Sequence, residues 1–234
     1  MNNKQLLQQY VDTGIELPEY QIKSLPSDLL KSYLRKRLIA VESSDEILSD
    51  YEFKLFTPDQ RFQYAMKSAE NGNFISDEKF ESLTPEQRFQ YTMKSAEKGY
   101  GISDEKFELL TPDQQVQYVI KRIELGVGIS DYEFELLTPE QRFQYTMNRT
   151  EDGRSISDKQ FELITPDQRF QYAMKLAENG SYISDEQFKL LTPDQRFQYV
   201  MKLVEKGYGV IDYEFELLTP KQQKIFKDKG GQIW

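Results

Sequence analysis

A repeat of 27 residues runs through most of this chain. An aliphatic residue opens the same phrase once in every period, at Leu48, Ile75, Ile102, Ile129, Ile156, Ile183 and Val210. A unit this short cannot bury a hydrophobic face by itself, so neighbouring units must stack to form a continuous core. The repeat therefore predicts an extended array rather than a single globular core.

Each repeat contains the start signals of two helices. In the copy that begins at Ile75, Thr84 is placed as an N-cap with Pro85 at the first helical position. Gln87 lies three residues after the cap and completes a capping box. This longer helix is expected to end at Gly99, which can adopt the left-handed conformation of a C-cap.

A shorter helix precedes the longer one. Ser76 is its predicted N-cap, and Ile75 and Phe80 are spaced to form a hydrophobic staple. The residue before a proline disfavours helix, so this helix should end near Leu83. Helices of about 7 and 14 residues are too short to stand alone in water and must be stabilised by packing on neighbouring repeats. The sequence predicts an all-α fold, an α-solenoid of tandem 27-residue helix–turn–helix repeats with atypical terminal units.

The helical period divides the long helix into a buried and an exposed side. Phe89, Thr92, Met93 and Ala96 share one side and are expected to be buried. The tyrosine at position 91 lies away from the centre of that side, so its ring is expected to pack against the next repeat with its hydroxyl at the rim. The equivalent candidate rim aromatics are Tyr64, Tyr91, Tyr118, Tyr145, Tyr172 and Tyr199.

A glutamine recurs on the predicted solvent side of every long helix. Glutamines on neighbouring long helices would lie roughly 10 Å apart and form a row along the array. The row has two interpretations: glutamine is a good helix former on an exposed face, or the glutamines form a polar ridge that a partner spans. The candidate ridge glutamines are Gln63, Gln90, Gln117, Gln144, Gln171 and Gln198. Lysines four residues further on extend the same candidate partner-binding ridge, at Lys67, Lys94, Lys121, Lys175 and Lys202.

Two sets of arginines receive structural interpretations. Arg88 and its equivalents flank the buried side of the long helix, so we interpret them as inter-repeat ion pairs rather than a ligand site. The local cluster Arg35-Lys36-Arg37 is interpreted as a solvated helix face.

The two ends of the array depart from the pattern. Residues 1–47 are predicted to hold an N-terminal helix, over Gln5 to Asp12, and a diverged capping repeat with an insertion near Val41 to Glu46. Residues 48–209 form six regular repeats, and residues 210–234 an incomplete C-terminal capping repeat and tail. A longer period of 81 residues separates three copies of Asp-Tyr-Glu-Phe, at Asp50, Asp131 and Asp212, which suggests that blocks of three repeats were duplicated.

Composition excludes several kinds of chemistry. The chain has no cysteine and no histidine, which removes thiolate zinc sites, a cysteine nucleophile and the usual general base. The serines lie at predicted caps, and the carboxylates recur at first-turn positions in every repeat, as structural features do. We therefore expect no enzymatic activity, no catalytic residues, no metal site and no cofactor.

The net charge of −9 argues against direct binding to nucleic acid, which requires clustered lysine and arginine. No apolar stretch approaches the roughly 20 residues that cross a bilayer, and no signal peptide is apparent. The expected location is the cytoplasm, or the host cytoplasm if the source is a phage or pathogen.

In architecture the array resembles helical-pair solenoids such as the tetratricopeptide and HEAT proteins. Its 27-residue unit is shorter than theirs, and it lacks the Trp, Gly and Ala signature of the tetratricopeptide repeat. The resemblance implies an extended binding surface.

Three functions follow from these features as hypotheses. The first is a non-enzymatic scaffold that binds a protein partner along an extended surface. The alternative is an acidic phage or pathogen inhibitor that blocks a host nucleic-acid-binding protein by mimicry or occlusion. A third is a spacer or self-associating structural part. The sequence does not identify the partner or the oligomeric state.

Overall fold

The computed structural model describes residues 8–9, 11–43 and 47–234 of the chain. Short and long helices alternate through this part, and the predicted all-α repeat architecture is confirmed. The short helices are Asp50–Leu55, Asp77–Glu81, Asp104–Glu108, Asp131–Glu135, Asp158–Glu162, Asp185–Lys189 and Asp212–Glu216. The long helices are Pro58–Asn71, Pro85–Glu97, Pro112–Glu124, Pro139–Glu151, Pro166–Glu178, Pro193–Glu205 and Pro220–Asp228.

The predicted caps determine where the long helices begin and end. The Thr84 hydroxyl accepts the Gln87 N–H at 3.2 Å, and the Gln87 side chain accepts the Thr84 N–H at 3.1 Å. At the other end Gly99 has φ +81°, and its N–H and that of the following residue donate to the carbonyls of Ala96 and Ser95. This is a Schellman motif, which explains why a glycine closes the helix.

The chain forms two compact bodies, the first ending at Gly128 and the second spanning Ile129–Trp234. Within each body, long helices pack on the long helices of adjacent repeats and short helices pack on short ones. The 27-residue period does not predict this division. It does coincide with the 81-residue period, since Asp131 lies at the start of the second body.

The diverged N-terminal repeat, which precedes the first regular repeat, contains the helices Glu19–Ser24 and Ser27–Ser43. Of the helix predicted from Gln5 to Asp12, residues 8–9 and 11–12 are described and are helical, as is residue 13, and Gly14 has φ +69°. Part of the insertion predicted near Val41 to Glu46 lies outside the described residues, because the description stops at residue 43 and resumes at residue 47.

The prediction of rim tyrosines is wrong. Tyr91 is fully buried, and its hydroxyl accepts the backbone N–H of Ile75 at 3.4 Å. Its ring packs edge-on against Phe80 with centroids 5.7 Å apart. The same hydrogen bond, to the residue 16 positions earlier, forms at the five equivalent tyrosines, Tyr64, Tyr118, Tyr145, Tyr172 and Tyr199. These hydroxyls satisfy a buried backbone donor, so they belong to the core.

The recurring arginine has a role within its own repeat. The Arg88 guanidinium donates to the carbonyls of Phe80, at 3.2 Å, and Glu81, at 2.5 Å, at the end of the preceding short helix. The predicted inter-repeat ion pair is therefore wrong, because the group that Arg88 contacts is a helix C-terminus with unsatisfied carbonyls. In the third repeat Gln115 replaces the arginine and donates to the Phe107 carbonyl alone, at 3.0 Å.

Arg37 also departs from its prediction. Arg35 and Lys36 are exposed, as expected of a solvated face, but Arg37 is only 1% exposed. Its Nε donates to Glu52, itself fully buried, at 2.8 Å, and Tyr33 donates a second hydrogen bond to the same carboxylate. Burial is tolerated because the two charges are paired and hydrogen-bonded.

In three short helices the third residue donates a hydrogen bond to the preceding repeat. Gln160 and Gln187 are buried, and each amide donates to the carbonyl 31 residues earlier, that of Ile129 at 3.1 Å and Ile156 at 3.2 Å. Lys79 donates in the same way to Leu48. Different side chains at this position thus share one function, donation to the preceding repeat.

The C-terminal tail folds back on the last repeat. The Val210 N–H donates to the Gln232 carbonyl at 2.9 Å, and the Trp234 N–H donates to the Val210 carbonyl at 2.9 Å. Phe226 occupies the place of the buried tyrosine and has no hydroxyl to accept the Val210 N–H. The tail therefore supplies the partners that, for inner repeats, come from a tyrosine hydroxyl and from the next repeat.

Candidate functional site

An open groove of about 360 Å³ lies along the long helix Pro85–Glu97, beside the long helix of the preceding repeat. Its apolar lining consists of Met66, Phe89 and Met93. Its polar lining consists of Glu86, Gln90, Lys94 and Glu97. Glu86, Phe89, Gln90, Met93, Lys94 and Glu97 share one face of a single helix, because they are spaced by three and four residues.

A second groove of about 450 Å³ repeats this arrangement one unit earlier. Leu38 and Val41 of the diverged N-terminal repeat contribute to its lining. The other lining residues are Phe62, Gln63, Tyr64, Met66, Lys67 and Glu70, and five of these, all but Tyr64, are the 27-residue equivalents of residues in the first groove. The first body therefore presents the same apolar and polar groups twice in succession. These lining residues define what we call the long-helix grooves.

The apolar residues of the grooves were assigned to the core by the helical period. Thr92 and Ala96 are buried as predicted, but Phe89 and Met93 are half-exposed. A helical wheel places a side chain relative to its own axis and cannot show that two neighbouring helices leave an open channel between them. In the third repeat Val116 takes the place of the phenylalanine and is also half-exposed.

The six candidate ridge glutamines are all exposed, which confirms their predicted side of the helix. The Gln90 amide donates to the Glu86 carboxylate at 3.2 Å, and the Gln144 amide donates to Asn148 at 2.7 Å. A glutamine side chain can make four hydrogen bonds, so each of these bonds leaves further donors and acceptors facing solvent. Whether they bind a partner stays a prediction.

The candidate lysines are less accessible than the glutamines. All five are half-buried, and Lys94 lies 3.7 Å from both Glu70 of the preceding repeat and Glu97 of its own. Lys202 has the same two kinds of partner, Glu178 at 3.6 Å and Glu205 at 3.8 Å. These lysines hold carboxylates along the groove, so a ridge of free ammonium groups does not form at these two positions.

Acidic side chains outnumber lysines at the groove positions of the first body and at the equivalent positions of the second. In the first body six acids, Asp59, Glu70, Glu86, Glu97, Asp113 and Glu124, accompany three lysines, Lys67, Lys94 and Lys121. In the second body six acids, Glu140, Glu151, Asp167, Glu178, Asp194 and Glu205, accompany two lysines, Lys175 and Lys202. Asn148 stands where the third lysine would be. The groove positions are therefore net negative in each body.

Sequence reasoning missed the glutamate in the last turn of six long helices, Glu97 and its equivalents. It recurs in all six regular repeats. A negative charge at a helix C-terminus is opposed by the helix dipole, so the dipole does not account for its recurrence. That conflict between position and charge is the signal that could have marked these glutamates as groove residues.

Two further findings bear on the chemistry of the chain. Among residues 8–9, 11–43 and 47–234, no group of three or more acidic side chains is arranged to hold a metal ion. Within the same ranges no helix combines the length and apolar character needed to span a bilayer. The grooves can offer apolar contact, amide hydrogen bonds and negative charge.

No model of a known protein family matches this chain, and no curated protein or solved structure matches it either.

Proposed function

We propose that this chain is a non-enzymatic binding protein that holds a protein partner along its long helices. The observation that supports the proposal is the repetition of one groove, with Phe89, Gln90 and Met93 in one repeat and the same residue types 27 positions earlier. Half-exposed Phe and Met side chains bordered by amides and charges combine apolar area with orienting polar groups, as ligand sites do. A partner crossing several repeats would sum modest contacts.

The test is a selection from a displayed library of folded domains and linear protein fragments. The bait is the whole chain, and the comparison variants are Phe89→Gln/Met93→Gln and Phe197→Gln/Met201→Gln. The matched control is Leu109→Gln/Leu190→Gln, which makes the same apolar-to-amide change at exposed residues outside the grooves. Circular dichroism checks that each variant keeps its helical content.

Binders that are retained by the control and lost by a groove variant would support the proposal. Binders that the groove variants retain equally, or an absence of specific binders, would contradict it. If the binders are nucleic-acid-binding proteins, and DNA competes with the chain for them at low salt only, the acidic inhibitor becomes the better description.

A further inference from the structure

We propose that the occupant of the long-helix grooves is an extended, positively charged peptide segment that places an apolar side chain in each groove. This inference rests on the proposed function and specifies the chemistry of its partner. Two observations lead to it, the exposed amides and the charge of the groove positions, together with the general spacing of packed helices.

The exposed amides select the conformation of the occupant. Each of the three long helices of the first body presents one groove glutamine, at Gln63, Gln90 and Gln117. An amide offers a donor and an acceptor together, which is what the N–H and C=O groups of an extended backbone require. A helical occupant has already satisfied its backbone groups internally and leaves such amides without backbone partners.

The spacing of the helices fits the same conformation. Packed helices lie roughly 8–10 Å apart, and three residues of an extended polyproline II chain advance about 9 Å. A peptide crossing the long helices therefore brings every third side chain into register with a new groove. Across the three glutamines of one body, about 20 Å, it presents roughly seven residues.

The charge of the grooves selects the charge of the occupant. Each body carries six acids at these positions, with three lysines beside them in the first body and two lysines in the second. Lys94 is directed at Glu70 and Glu97 and thereby fixes both carboxylates beside the groove. A peptide carrying Lys or Arg between its apolar residues complements this surface, and a peptide carrying Asp or Glu is repelled.

The apolar side chains of the occupant meet Met66, Phe89 and Met93. Methionine is flexible and polarisable, so this lining accepts side chains of varied shape, and phenylalanine also attracts a cation placed over its ring. The inferred motif is accordingly a pattern of composition, one aliphatic or aromatic residue in three with basic residues between, rather than one fixed sequence.

The experiment measures fluorescence anisotropy of labelled peptides with the whole chain at low and moderate salt. The probe is nine residues long, Leu-Lys-Pro repeated three times, and proline keeps it extended. The comparison peptides are Leu-Glu-Pro repeated three times, a Leu-Lys peptide with alternating spacing, and a basic amphipathic peptide that forms a helix. The variants are Gln90→Ala/Gln117→Ala and Glu86→Gln/Glu97→Gln, with Glu105→Gln, an exposed short-helix residue, as the charge control.

We expect the basic extended probe to bind most tightly. The double glutamine variant should weaken it about ten-fold, because two amide hydrogen bonds are removed. The glutamate variant should weaken it and flatten its dependence on salt, while Glu105→Gln leaves both unchanged. Equal binding of the acidic or the helical peptide, no effect of Gln90→Ala/Gln117→Ala, or no binding of any peptide would overturn the inference. Groove-dependent folded binders in the library selection would then still support the proposed function, so the two failures are distinguishable.

Discussion

The hydroxyl of Tyr91 accepts the backbone N–H of Ile75, which lies 16 residues earlier and opens the same repeat. The bond is fully buried and ties the long helix to the turn that enters the short one. Burial also raises the pKa of the Tyr91 hydroxyl, so the group stays neutral at physiological pH.

Replacing this tyrosine tests the role of the hydroxyl in the core. Tyr91→Phe keeps the ring and leaves the Ile75 N–H without its acceptor, so we expect the free energy of unfolding to fall by about 1–2 kcal/mol. The measurement is urea denaturation followed by circular dichroism. Tyr100→Phe, at an exposed tyrosine, is the control and should change stability little. Equal effects of the two substitutions would contradict the assignment.

The arginine that caps the short helix gives a graded prediction. Arg88→Ala removes donors to the Phe80 and Glu81 carbonyls and should cost about 1–2 kcal/mol of stability. Arg88→Gln should recover part of the loss, because Gln115 makes one such bond in the third repeat. Thermal denaturation of wild type, Arg88→Ala and Arg88→Gln measures the order of their stabilities. A glutamine variant no more stable than the alanine variant would argue against capping.

The buried pair of Arg37 and Glu52 should be strongly coupled. Arg37→Met leaves a buried carboxylate uncompensated and is expected to cost about 3–5 kcal/mol. Adding Glu52→Gln should recover much of that loss, because it removes the uncompensated charge. A double-mutant cycle in urea measures the coupling, and Arg35→Ala, at an exposed neighbour, should stay within about 0.5 kcal/mol of wild type. Additive effects of the two buried substitutions would show that the pair is not coupled.

Glu214 makes stability depend on pH. It stands where Gln160 and Gln187 donate to the preceding repeat, and a carboxyl group can donate there only when it is protonated. Burial raises its pKa to about 7, a nearby negative charge on Asp185 adds to the increase, and the hydrogen bond from the Ile211 N–H opposes it.

A carboxyl group whose pKa is higher in the folded state stabilises that state fully below its unfolded pKa, and loses the effect as pH rises through the folded value. Relative to Glu214→Gln, wild type should therefore lose stability between pH 4.5 and about 7. At higher pH, the loss in the free energy of unfolding of wild type relative to the variant should reach about 3 kcal/mol. Parallel urea titrations from pH 4 to pH 8 measure it, with Glu216→Gln on the exposed side of the same helix as the control. A constant difference across the range would refute the prediction.

Removing the tail should loosen the last repeat first. Deletion of residues 232–234 removes both backbone partners of Val210 and is expected to cost about 2 kcal/mol. Hydrogen exchange should show faster exchange at Val210 and along Pro220–Asp228, with Pro139–Glu151 unchanged. Trp234→Ala keeps the backbone N–H of residue 234, so it should lower stability less than the deletion does. Uniformly faster exchange through the second body would mean that the tail acts beyond its own repeat.

The sequence contains most of the information on helix boundaries and little on what lies between helices. Thr84, Pro85, Gln87 and Gly99 act on their own backbone, so their spacing predicts the long helix almost to the residue. The tyrosine hydroxyl and the Arg88 guanidinium act across the turn between two helices, and a helical period does not give that geometry. The recurrence of the tyrosine and the arginine in the sequence indicates that both are structurally important. The groups that they contact are known only from the packing of the helices.

The candidate site shows the same difference between features set within one helix, which the sequence predicts, and features set by the packing of neighbouring helices, which it does not. Exposure of Gln90 follows from its angle on the helix and was predicted. The half-exposure of Phe89 and Met93 depends on how closely the neighbouring long helix approaches, which no pattern within one repeat reports. Arg37 was misplaced for a related reason, because its partner Glu52 lies 15 residues away in another repeat.

The tail at Val210 also determines how an array of this kind can change in length. Tail atoms bond the N–H and C=O of Val210, where Phe226 offers no hydroxyl, and the Trp234 ring lies so close to Gly209 that a Cβ there would come within 2.0 Å of the indole nitrogen. The cap depends on Gly209 and Phe226 and so belongs to this end of the array, and inner repeats upstream of it can be added or lost while the cap stays intact. Tandem duplication or loss of 27 codons then alters the span of the protein without requiring a newly evolved terminus.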